Sequence, residues 1–279
     1  MEKLKKYLEQ SVYDVIKKYD GKLLEIRLRI HSPIILQLID DECILTGFIV
    51  SEEMLECVIE KITHYSLYAY EREFRDGYLT VEGGHRIGFA GEGIYQQSKL
   101  VGMKNISFMN IRICHPGIEW NEELLWHLTE GNRVKNTLII SSPGLGKTTM
   151  LRHLIRKFSH NYSGTSISVI DERNELSGSY GGIPQIDLGP RTDVFSGMDK
   201  EEGILHSVRS MAPKIIAVDE IGTEQEFRIL QWAINSGVSI IATIHGSNVM
   251  DVKKKIGREL AEAFQCYILI SERGKYQCF

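Results

Sequence analysis

The run Thr137-Leu138-Ile139-Ile140 leads straight into Ser141-Ser142-Pro143-Gly144-Leu145-Gly146-Lys147-Thr148-Thr149, and residues 150–157 then carry helical spacing. Strand, glycine-rich turn and helix in this order constrain the chain more than any other feature, because together they form a phosphate-binding loop. Glycines let successive backbone N–H groups converge on phosphate oxygens, and the following helix N-terminus adds partial positive charge there. Pro143, Gly144, Leu145, Gly146, Lys147, Thr148 and Thr149 are therefore the expected nucleotide-binding residues. Lys147 reaches the β- and γ-phosphates of ATP, and the Thr148 hydroxyl ligates Mg²⁺. Ser141 stands where such loops usually begin with glycine.

After this loop, strand-like apolar runs alternate with helical stretches, which predicts an α/β unit with a mostly parallel sheet. The expected core strands are Thr137–Ile140, Ser166–Ile170, Lys214–Val218, Val238–Ile244 and Cys266–Ile270. The first part of the chain reads differently. Residues 2–19 place apolar side chains at helical spacing, and Leu24 to Ile30 alternates, with Glu25, Arg27 and Arg29 on one face. A second strand follows Pro33, and Ser51 is the expected N-cap of a helix carrying Leu55, Val58 and Ile62. Residues 68–93, rich in aromatics and glycine, are expected to be antiparallel strands, with a last strand from Ile106 to Cys114. The expected organisation is a smaller α+β domain over 1–115, a linker with a short helix over 116–135, and the α/β domain over 136–279.

With 279 residues there is room for two domains. The net charge of −4 is spread evenly, since residues 1–115 hold 15 Lys+Arg and 17 Asp+Glu, which leaves 18 and 20 for the remainder. Neither part is a basic module, and this argues against nucleic acid as a partner. The five cysteines show no CxxC pair and read as reduced thiols. No apolar run approaches the length of a membrane span, and the N-terminal stretch has no signal-peptide core, so the expected location is cytoplasmic, with membrane association through partners.

Three further segments carry chemistry. Ile215-Ile216-Ala217-Val218-Asp219-Glu220 is an apolar strand ending in two carboxylates. A parallel sheet places Asp219 beside the phosphates as the second Mg²⁺ residue, and Glu220 where it polarises an attacking water. The strand Ile167–Ile170 also ends in carboxylates, Asp171 and Glu172, which makes Glu172 the second candidate water activator. Thr243 and His245 end the strand after Asp219, and His245 is placed to sense the γ-phosphate. Arginines that stabilise phosphoryl transfer often come from a neighbouring subunit, and Arg27, Arg29, Arg86, Arg112, Arg191 and Arg209 are the candidates.

Phosphate loop, acidic strand, Asp-Glu strand and histidine strand in this order resemble the Walker A, Asp, Walker B and His boxes of the type II and type IV secretion ATPases. A narrower resemblance, to the stage III sporulation AA family, rests on seven segments. These are Glu25-Ile-Arg-Leu-Arg29, Gly84-His-Arg-Ile-Gly88, Asn110-Ile-Arg-Ile113, Asp171-Glu-Arg173, Gly189-Pro-Arg-Thr-Asp193, Val208-Arg-Ser-Met-Ala-Pro213 and Ile216-Ala-Val-Asp-Glu-Ile-Gly222. The resemblance implies a RecA-like C-terminal domain and a Mg²⁺-dependent ATPase working in the mother cell of a spore former. It also implies a hexameric ring that energises a membrane channel or export apparatus, with Arg86 and Arg112 among the arginines completing a neighbour's site. Two other readings stay open on the residues: a nucleic-acid motor on the same core, and an assembly platform that binds nucleotide and hydrolyses little.

Overall fold

The computed structural model describes residues 1–115, 120–121, 123–131 and 133–279. Six positions of the expected 116–135 linker (116–119, 122 and 132) therefore lie outside the described residues. The strands, in chain order, are β1 Leu23–Arg29, β2 Pro33–Leu38, β3 Glu42–Ile49, β4 Tyr78–Val81, β5 His85–Gln96, β6 Lys99–Arg112, β7 Thr129–Glu130, β8 Arg133–Val134, β9 Thr137–Ser141, β10 Ile167–Asp171, β11 Thr192–Ser196, β12 Ile215–Val218, β13 Ser239–His245, β14 Cys266–Glu272 and β15 Lys275–Cys278. The α-helices are α1 Gln10–Ile16, α2 Glu52–Ile62, α3 Glu71–Asp76, α4 Glu123–His127, α5 Lys147–Asn161, α6 Lys200–Ser210, α7 Glu224–Asn235, α8 Val249–Ile256 and α9 Arg258–Ala263. Contacts divide the chain into two units: residues 1–115 with 178–185, and residues 116–177 with 186–279.

The first unit holds an antiparallel sheet of order β3-β2-β1-β6-β5-β4. Alternation in β1 sends Ile26 and Leu28 into a core shared with Ile87, Met109, Ile111, and residues of α1 and α2. Its other face carries Glu25, Arg27 and Arg29. Glu25 is in register with Arg112 on β6, and Arg112 with Arg86 on β5, so the three lie in one row across the sheet. Ser51 caps α2 as expected, its Oγ accepting from the Met54 N–H at 3.1 Å.

Three local expectations differ from the fold. The single helix expected over 2–19 is a 3-10 turn (Glu2–Lys6), α1 and a second 3-10 turn (Lys17–Tyr19), and Glu9 between the first two is extended. Within 68–93, α3 precedes the strands. Glu71, Arg72, Glu73 and Arg75 are strong helix formers, buried Phe74 anchors the helix, and Gly77 ends it in the left-handed conformation at φ 80°. Strand β3, which has an irregular apolar pattern, carried no sequence signal.

The second unit holds a sheet of order β11-β10-β12-β13-β9-β14-β15, parallel except for the β14–β15 hairpin. Its central strands are apolar on both faces, as a parallel sheet covered on both sides requires. Ile167, Ala217 and Ile241 enter one core with Leu151, Leu154 and Phe158 of α5, while Ile170, Val218 and Ile244 enter the other with Ile204 of α6 and Leu230 of α7. Strands β9, β12 and β13 are contiguous and point the same way, so their carboxyl ends converge at one edge, where ligands bind in open α/β sheets.

Candidate nucleotide site

The loop between β9 and α5 turns at its glycines. Gly144 and Gly146 take φ 78° and 102°, a region that costs glycine little and other residues more. Ser141 needs no such freedom, because it is still the last residue of β9, buried, with its Oγ donating to the Ser142 carbonyl at 2.8 Å. The backbone geometry thus explains why serine serves where glycine is usual. Gly146 caps α5, whose first turn holds no acidic residue to compete with an anion. Pro143, Leu145 and Thr149 complete the turn around the two glycines and the start of α5.

Lys147 is buried. Its Nζ lies 2.8 Å from His245 Nδ1 and donates to the Ser141 carbonyl at 3.4 Å. Burial lowers its pKa below the usual lysine range, against the pull of Glu220 and Asp219, which favour the ammonium. Thr148 Oγ1 donates to Asp219 Oδ2 at 2.8 Å, and Thr243 donates to Asp219 Oδ1. Desolvation, the largest influence on Asp219, pushes its carboxyl above the usual range, although both threonine bonds favour the charged form. A half-buried carboxylate joined to a hydroxyl is an oxygen donor set of the kind Mg²⁺ takes beside substrate phosphates. Thr148 and Asp219 thus fit the cation.

Glu220 follows Asp219 in the left-handed region at φ 53°, uncommon for a residue with a side chain and typical of functional sites. Its N–H donates to Thr243 Oγ1 at 2.8 Å. Glu220 Oε1 lies 3.0 Å from His245 Nε2, and Oε2 accepts from Arg173 Nη1 at 2.9 Å. The edge therefore gathers Lys147, Thr148, Asp219, Glu220 and His245, all candidates from the sequence, and adds Thr243 and Arg173 in roles no local pattern revealed.

The other acidic pair divides. Asp171 turns back on its own chain: Oδ1 accepts from the N–H groups of Glu175 and Leu176, and Oδ2 from the N–H and hydroxyl of Ser177. Glu172 Oε2 lies 3.0 Å from Lys200 Nζ, and buried Lys200 also bonds Glu226 at 2.7 Å. Glu226 is in turn the third residue of α7 and closes the capping box that Thr223 opens. Glu172 is thereby tied to the α6–α7 packing, a partnership that no spacing in the sequence could signal. Arg86 and Arg112 belong to the first unit. The Arg86 guanidinium stacks 3.6 Å from the centre of the Tyr78 ring, and Arg112 Nε lies 3.4 Å from Glu25 Oε1. Burial raises the Glu25 pKa, but bonds from Arg27 and Asn110 and the nearby Arg112 outweigh it, and the net shift is downward.

A family model described as "Sporulation stage III, protein AA" matches residues 2–277. The chain is 36% identical over 234 residues to the stage III sporulation protein AA of Bacillus subtilis (strain 168), covering 83% of this chain and 76% of that one. Among solved structures, the Legionella pneumophila ATPase DotB superposes with a TM-score of 0.63 at 13% identity, over 97% of this chain and 80% of that one. The pilus retraction motor PilT with bound ADP superposes at 0.65 and 14% identity, over 94% and 78%. At such identities the likeness concerns the fold, which is RecA-like in the second unit.

Proposed function

The chain belongs to the sporulation stage III protein AA family, and from that premise we propose that it is a Mg²⁺-dependent ATPase of the secretion-motor type, energising a membrane channel or export apparatus during endospore formation. The observation that carries this reading is the bond between Thr148 and Asp219, which joins the phosphate loop to the acidic strand tip. The loop N–H groups and Lys147 bind the β- and γ-phosphates. Thr148 and Asp219 hold Mg²⁺, which neutralises phosphate charge when bound. Glu220 orients a water and accepts its proton while the water oxygen bonds to the γ-phosphorus. The bond from that phosphorus to the β–γ bridging oxygen breaks, and ADP leaves with the electron pair.

The same reading includes a hexameric ring in the cytoplasm of the mother cell, with Arg86 and Arg112 of one copy serving the nucleotide of the next. Support comes from the aligned Glu25–Arg112–Arg86 row, which sets the two arginines in register on neighbouring strands. Among the described residues no helix is long and apolar enough to cross a membrane, so membrane attachment is assigned to partner proteins. One observation favours slow turnover in the isolated chain, the behaviour of a nucleotide-binding platform: both oxygens of Glu220 are already engaged by protein groups.

Turnover of Mg-ATP, binding of a fluorescent ATP analogue, and sizing with and without ATP test the proposal together. Lys147→Ala abolishes nucleotide binding, and Glu220→Gln binds ATP but hydrolyses it at least about a hundredfold more slowly, within the range for general-base loss. Unchanged turnover in Glu220→Gln removes that residue from the mechanism, and stimulation by DNA or RNA at low salt favours the nucleic-acid reading instead.

A further inference from the structure

Arg173 lies two residues beyond β10, in a turn clamped by the four hydrogen bonds that Asp171 accepts. From this fixed turn its Nη1 donates to Glu220 Oε2. The opposite oxygen of Glu220 meets His245 Nε2, and His245 Nδ1 meets Lys147 Nζ. An ammonium has donors only, so with Lys147 charged Nδ1 is the acceptor and the imidazole proton sits on Nε2, where it donates to Glu220. The bonds therefore run in one consistent direction, from Lys147 through His245 to Glu220, with Arg173 closing the far side.

A carboxylate whose two oxygens each accept a bond from a protein donor is a poor base for water. Phosphate oxygens are stronger acceptors for an ammonium than a neutral imidazole is, so nucleotide in the loop draws Lys147 away from His245. That loosens one of the two holds on Glu220 and leaves the other, Arg173, in place. Resting on the ATPase reading above, we infer that Arg173 is a positioning residue that parks Glu220 in an unreactive double hold, and that its release governs how fast the isolated chain hydrolyses ATP. The side chain of Arg173 is 58% exposed and that of Glu220 29%, so the pair is a surface ion pair of small worth. The gate is therefore light, as a step opened by a partner protein requires.

The test uses the full chain with saturating Mg-ATP. Arg173→Gln raises kcat about two- to fivefold, the scale set by an exposed ion pair, and leaves KM within about twofold. Arg173→Lys, which keeps the cation, returns kcat toward the native value. Raising salt from about 50 to 500 mM narrows the gap between native and Arg173→Gln, because the pair is screened. In the Glu220→Gln background the Arg173→Gln effect vanishes. A fall in kcat on Arg173→Gln, or equal rates for the Gln and Lys variants, overturns the proposal. Nitrogen NMR of histidine-labelled protein reads the hold without hydrolysis. A non-hydrolysable ATP analogue shifts the His245 Nδ1 resonance, and Arg173→Gln alone shifts Nε2. If the native chain does not turn over ATP yet these resonances move as stated, the ATPase reading fails and the double hold stands; a stationary Nε2 resonance in Arg173→Gln refutes the hold itself.

Discussion

Thr148 and Asp219 stand 71 positions apart in the chain, yet the hydroxyl of one donates to the carboxylate of the other at 2.8 Å. Strands β9 and β12 both flank β13 in a parallel sheet, so their carboxyl ends, and the residues just beyond, arrive at the same edge. The first consequence concerns the cation. Thr148→Val keeps the shape and removes the oxygen, so Mg²⁺-dependent affinity for an ATP analogue falls about tenfold or more, while affinity in EDTA changes little. Titrations with and without Mg²⁺ measure the difference, and an equal loss in both removes Thr148 from the cation site.

Thr243 is buried and serves two groups at once, donating to Asp219 and accepting from the Glu220 N–H. Thr243→Val leaves both without this partner, and the expected cost is about 1–3 kcal/mol of stability. Urea denaturation at neutral pH reads it. A variant as stable as the native protein contradicts the bridging role.

The first unit contains a pH-sensitive histidine. His85 is buried, and its Nδ1 accepts from the Cys114 N–H at 3.1 Å. Desolvation first, then the charges of the N-terminus and His115, lower its pKa from 6.5 to about 4. Between these values the unfolded chain binds the proton and the folded chain does not, so stability is complete above pH 6.5 and is lost as pH falls through about 4. The full contribution is about 3 kcal/mol at 1.36 kcal/mol per pH unit. His85→Gln gives a shallower decline over this window in urea denaturation across pH, and parallel declines for the two proteins rule His85 out as the source.

Gly189 shows why a loop glycine is needed. Its φ is 89°, and a Cβ there would lie 2.5 Å from the Ser159 Cβ on α5. The backbone strain costs about 1 kcal/mol and the overlap about 1–3 more, so Gly189→Ala lowers the melting temperature by several degrees. A melting temperature within a degree of the native value contradicts this packing.

Several elements were legible before any fold was known. The five strands β9, β10, β12, β13 and β14 are short apolar runs bounded by turn residues, and each lies within a residue or two of its expected limits. Their signal is strong because burial on both faces leaves them mostly apolar, with only small polar residues such as Ser168 and Thr243 between. Strands β11 and β15 went unseen because both are short edge strands with half-exposed, mixed side chains. The hairpin of β5 and β6 extends further than expected, since Gln97 and Ser98 turn it with φ of 49° and 63°, and neither residue signals such a turn as glycine does.

What the amino-acid order determined alone is local chemistry: a glycine-rich loop between an apolar strand and a helix, carboxylates at the ends of two apolar strands, a histidine at the end of a third. These follow from spacing and periodicity within a few residues. What the tertiary structure decided is which of those groups meet. It set Asp171 to closing its own turn, Glu172 to Lys200, and Glu220 to a hold between Arg173 and His245. Apart from the turn that Asp171 closes, these partners are separated by 25 to 47 positions where they flank Glu220, and by 98 between Lys147 and His245. Contacts across such distances exist only once the sheet has fixed strand order and register, because no local pattern encodes which strand tips will be neighbours.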